Sequence, residues 1–123
     1  MIKEAYVSFE TAKLLKGKGF DIECKTAYYC DCLIDYTMFG FCGDEEFIFA
    51  PTQQLAMAWL REIHNIFIVI EPHLYDYVNE KNKSYICSLW VGDNYYENPL
   101  KKGFPSYEET VESAIKYCLE NLI

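Results

Sequence analysis

Residues 106–123, SYEETVESAIKYCLENLI, constrain the fold more than any other stretch of this chain. Ser106-Tyr107-Glu108-Glu109 is a capping box, in which the serine hydroxyl takes the amide of the third helical residue and the glutamate there reaches back. Val111, Ala114, Ile115, Cys118, Leu119 and Leu122 then recur at helical spacing, while Glu112 and Lys116 stand four residues apart on the outside as an ion pair. A helix with one apolar face has to be covered by other parts of the chain, and the rest of the sequence must supply a surface for it.

Two further helices are signalled. Ser8 caps a segment running to Lys16, with Glu10 at the positive end of the dipole and Gly17 and Gly19 to stop it. Thr52, after Pro51, opens another, in which Leu55, Trp59 and Ile63 form an apolar stripe with Ala56 and Leu60 beside it. Between the helices the period changes to two. From Cys24 to Tyr36 an extended chain carries Cys24, Thr26, Tyr28, Cys30, Cys32, Ile34 and Tyr36 on one side, as a half-buried strand does, either continuous or broken along its length. Phe47–Phe49, Asn65–Glu71, Leu74–Val78, Tyr85–Val91 and Asn94–Glu97 complete the strands, with Gly92-Asp93 as a turn. The order predicts a single α+β domain over residues 1–123, a mainly antiparallel sheet with about three helices packed on it.

Composition narrows the function. The 123 residues are 51% hydrophobic, enough for a real core, and carry 19 acidic against 11 basic side chains for a net charge of −8. Nucleic acid is therefore a poor partner, because phosphate binding draws on clustered Lys and Arg. Charged residues interrupt the N-terminal segment, which leaves no apolar core for a signal peptide, and the longest apolar run, Leu55–Leu60, is far too short to cross a bilayer. The expectation is a cytoplasmic protein with no membrane association.

Site chemistry is sparse. Glu62-Ile63-His64 and Glu71-Pro72-His73 bracket an apolar run, but His64 falls at a helix end before Asn65, where a left-handed cap is expected, and nothing local makes the four residues converge. Cysteines stand at 24, 30, 32, 42, 87 and 118, and the one close pair, Cys30-Asp31-Cys32, lacks the Cys-x2–4-Cys spacing of zinc sites. Core thiols are the expectation, with Cys30, Cys32 and one or two of Cys24, Cys42 and Cys87 as the alternative of a metal or small-ligand module. With two histidines, both at element ends, and scattered glycines, no catalytic set or phosphate loop can be named. The chain is expected to be no enzyme and to carry no cofactor.

Tyrosine is the remaining signal. Eleven of 123 residues are Tyr, including the doublets Tyr28-Tyr29 and Tyr95-Tyr96, and in an alternating strand one member of each doublet must leave the core face. Together with the acidic stretch Asp44-Glu45-Glu46, these four tyrosines make the candidate interaction surface of a protein that works by binding another protein. A homodimer through an unpaired strand edge or the doublets is a further expectation, as is an antitoxin-like or nucleic-acid-mimicking regulator.

Three stretches, SFETAKLLKGKGF, APTQQLAMAWLREIHNI and SYEETVESAIKYCLENLI, resemble in this order a group of small uncharacterised proteins of anaerobic gut bacteria, their phages and mobile elements. The resemblance implies a phage-borne accessory protein acting on a host component, and carries no catalytic residues with it. The span from Thr52 to Ile123 is similar in element order to a double-stranded RNA-binding domain, although the last helix here begins with Glu108 and Glu109 where that domain presents basic residues to phosphate. The ending also looks like the tail of HicB-type antitoxins, although a capped amphipathic helix of this kind is generic.

Overall fold

A computed structural model describes residues 3–38, 47–73 and 84–123. Its elements run α1 (Phe9–Gly17), β1 (Thr26–Tyr29), β2 (Cys32–Asp35), a single 3-10 turn (Tyr36–Met38), β3 (Phe47–Phe49), α2 (Gln53–His64), β4 (Ile66–His73), β5 (Ser84–Val91), β6 (Asn94–Tyr96) and α3 (Tyr107–Asn121). The fold is α+β, as expected, but the strands among the described residues divide into two antiparallel three-stranded sheets, ordered β2-β1-β3 and β4-β5-β6. The expected strand Leu74–Val78 and the acidic stretch Asp44-Glu45-Glu46 lie outside the described residues.

Each helix starts where its cap lies. The hydroxyls of Ser8, Thr52 and Ser106 accept from the amides of Thr11, Leu55 and Glu109 at 3.2, 3.2 and 3.1 Å. Asn65 closes α2 in the left-handed region, at φ +56° and ψ +39°, so that the chain turns directly into β4. From α3 the residues Thr110, Val111, Ala114, Ile115, Cys118 and Leu119 are buried, and they meet α1, α2, β4 and β5 in one core with Val7, Leu15, Trp59, Leu60, Ile66 and Leu89. Burial of this stripe is what the capped amphipathic helix requires.

One local expectation is sharpened and two are corrected. The run from Cys24 to Tyr36 is the broken alternative, with a full reversal at the break: Tyr29 pairs with Cys32, and Cys30 and Asp31 between them take φ +48° and +66°. Two consecutive left-handed residues make the turn whose twist matches a hairpin, so the period-two pattern continues through a reversal that alternation alone does not mark. Cys30 and Cys32 consequently sit exposed near the tip of the β1-β2 hairpin, while Cys24, Cys87 and Cys118 are buried.

In α2 the inward stripe is Gln53, Ala56, Trp59 and Leu60, and Ile63 is 64% exposed. The helix offers two overlapping apolar stripes, and the one containing small Ala56 faces inward against its neighbours β4 and α3. Finally, Glu112 does not pair with Lys116. Its carboxylate accepts from the Ser8 amide at 2.8 Å and from Gln53 Nε2 at 3.5 Å, while Lys116 reaches Glu10 at 3.0 Å and Glu120 at 3.9 Å. Glu112 thereby joins α3 to the starts of both other helices, where helix dipoles favour a negative charge. Among the described residues no helix is long and apolar enough to cross a membrane.

Candidate interaction surface

The second sheet has one face against the helices and one that faces outward. Ile66, Ile68 and Ile70 of β4 pair with Val91, Leu89 and Cys87 of β5 on the inner side. The residues between them belong to the other face, since side chains alternate and directly opposed residues share a side. There Phe67 stands opposite Trp90, and Trp90 opposite Tyr95, so three aromatic side chains form one row across all three strands. Phe67 is 43% exposed, Trp90 42% and Tyr95 48%, with Val69 beside them. The Trp90 and Tyr95 rings are tilted together with centroids 4.9 Å apart.

On the basis of about 200 Å² for a full aromatic side chain, this row exposes on the order of 300 Å² of largely apolar surface. That is the size of the largest patch on many monomers, and such patches commonly serve binding. The row ends toward Ser88, which is buried and whose hydroxyl accepts from the Asn98 amide at 3.4 Å. Beyond Val69 the same face of β4 carries exposed Glu71, opposite Ile86.

The four candidate tyrosines fall in four different settings. Tyr28 turns inward: its hydroxyl donates to the Val7 carbonyl at 2.6 Å, its ring meets Phe9 edge-on, and burial, then the Glu112 carboxylate, pushes its phenol up. Tyr29 points the other way and stacks on Phe47, within a cluster that Tyr36 and Phe49 complete. Tyr95 belongs to the exposed row. Tyr96 lies opposite Leu89, on the helix side of the sheet, and is 45% exposed because β6 is an edge strand.

Phe67, Val69 and Trp90 were not singled out from the sequence. A signal for them exists: in Ile66-Phe67-Ile68-Val69-Ile70 both parities are apolar, although an antiparallel strand with one wet face needs only one of them. Tyrosine content drew attention away, since the row contains one of the eleven.

Among the described residues the other candidate groups do not converge, and Cys42 lies outside them. Glu62 pairs with adjacent Arg61 at 3.2 Å, Glu71 is on the outer sheet face, and the His64 ring packs on Trp59 with centroids 4.7 Å apart and a buried Nε2 that has no hydrogen-bond partner among the described residues. Among the described residues no three His, Cys, Asp or Glu side chains are grouped to hold a metal ion. Burial pushes the thiols of Cys24 and Cys87 up, and that of Cys118 up to about 12, which makes them poor nucleophiles at neutral pH. No protein-family model, curated protein or solved structure matches the chain.

Proposed function

We propose that this protein acts by binding another protein through the outer face of the β4-β5-β6 sheet. The observation that carries the reading is the row Phe67-Trp90-Tyr95, aligned by strand register and left half exposed on a sheet whose other face is already buried. Trp and Tyr supply large contact area at low cost in side-chain freedom, and they dominate the residues whose removal most weakens interfaces. Tyr95, expected as an interface residue, is part of this surface, while Tyr28 serves the core.

Nucleic acid fits the same face poorly. Stacking of bases on aromatic residues works in a basic groove, whereas residues 66–73 and 84–97 contain Glu71, Asp93 and Glu97 and no Lys or Arg. The test is affinity capture of tagged chain from a lysate, with bound proteins quantified, comparing the natural sequence with Trp90→Ala and Tyr95→Ala. A stoichiometric protein lost from both variants, with circular dichroism unchanged, supports the reading. A partner retained equally by all three would place recognition elsewhere on the molecule.

A further inference from the structure

We infer that this face takes an extended, basic segment of its partner, which adds to the edge of β4 as a further strand and lays Arg or Lys side chains beside Phe67, Val69 and Glu71. The inference rests on the protein-recognition reading above and names the chemistry of the partner.

Charge is the first ground for it. The chain as a whole carries −8, and the two stretches that build this sheet contribute three carboxylates and no Lys or Arg. Glu71 shares the outer face of β4 with Phe67 and Val69, and Asp93 lies in the turn joining the strands that carry Trp90 and Tyr95. The exposed Phe67 ring is the one nearest the β4 edge, and an Arg stacks on such a face while keeping its donors for a carboxylate such as Glu71. The surface therefore combines ring faces with carboxylates and offers a cationic side chain attraction of both kinds.

Strand geometry is the second ground. β4 is eight residues long, stands at the end of the strand order, and pairs with β5 alone among the described residues. Its Pro72 belongs to an edge, since proline in a sheet is confined to edge strands and bulges. A segment added to such an edge gains main-chain hydrogen bonds, and its side chains alternate between the two faces. Every second residue, roughly 7 Å from the last, then lies on the outer face beside Phe67, Val69 and Glu71. The partner segment should therefore be basic at alternate positions. A second copy of β4 would bring Glu71 in place of a cation and complements the face less well.

The probe is an eight-residue peptide of alternating Arg and Val carrying a fluorophore, read by anisotropy against the full chain. Its controls are the matching Glu-Val peptide and two forms of the Arg peptide methylated on alternate amides, one in each register. We expect the Arg peptide to bind, more weakly as salt rises, and the Glu peptide not to bind. Phe67→Ala should weaken binding about tenfold and Glu71→Gln about threefold. Methylation should abolish binding in one register and leave it unchanged in the other. Binding that survives Phe67→Ala, or methylation in both registers, would be diffuse charge attraction and would overturn the inference. No binding of the Arg peptide, while a captured partner still depends on Trp90, would overturn the basic-strand inference and leave the recognition reading standing. Self-association lost in Trp90→Ala would likewise overturn it, by assigning the face to a second copy.

Discussion

Removing the Glu112 carboxylate should cost more stability than removing the Lys116 ammonium, whereas the ion pair suggested by their four-residue spacing would make the two losses equal. Glu112 Oε1 accepts from the Ser8 amide at 2.8 Å, and Ser8 is the N-cap of α1. Its Oε2 lies 3.5 Å from Nε2 of buried Gln53, the first residue of α2, although that amide keeps a second acceptor in the Glu108 carbonyl at 2.9 Å. A hydrogen bond to a charged group contributes about 1.5–3 kcal/mol when enclosed, and the Ser8 bond is open to solvent. Glu112→Ala should therefore destabilise by about 1–2 kcal/mol, near a tenfold change in the folding constant, and Glu112→Gln, which keeps an acceptor, by about half as much. Lys116 pairs with Glu10 and Glu120 in open solvent, where screening removes most of the attraction, so Lys116→Ala should leave stability unchanged within error. Urea titrations followed by tryptophan fluorescence measure all three variants, with an unchanged slope expected if only the folded state is affected. A neutral Glu112→Ala, or a Lys116→Ala as costly as it, would refute this account of how α3 joins the other two helices.

The remaining predictions concern the hairpin tip and the thiols. Cys30 and Asp31 both occupy the left-handed region, so the double change Cys30→Asn with Asp31→Gly should stabilise the chain by about 1 kcal/mol, seen as a higher urea midpoint. A lower midpoint would mean that the native turn holds these residues by interactions that the substitution removes. In native buffer a thiol reagent should label Cys30 and Cys32 quickly and reach Cys24, Cys87 and Cys118 only on unfolding, which peptide mapping by mass spectrometry resolves. Alkali should destabilise the fold through Cys118. Its thiol rises from 9.0 to about 12 on folding, so its contribution is complete below pH 9 and is lost as pH climbs toward 12. Cys118→Ala should flatten that alkaline loss, and an unchanged profile would remove the buried thiol as its cause.

The sequence by itself determined the helices, since their starts depend on contacts within four residues. Ser8, Thr52 and Ser106 announce caps, and Asn65 announces the left-handed stop before β4. It also determined that α3 has one face to bury, because that periodicity is a property of the helix alone. Short apolar runs marked Phe47–Phe49 and most of β4 and β5 for the same local reason. Pairing is a different kind of quantity. The hairpin through Cys30 and Asp31, the division into two sheets, and the choice of Ala56 and Leu60 over Ile63 as the inward stripe of α2 each depend on which distant residues come into contact. Register in particular aligned Phe67, Trp90 and Tyr95, which lie 23 and 5 positions apart in the chain and have no relation there. Only the tertiary structure could decide which aromatic residues fill the core and which remain outside as a surface, because burial is settled by what packs against a strand, and a strand's own pattern shows only that it has two faces.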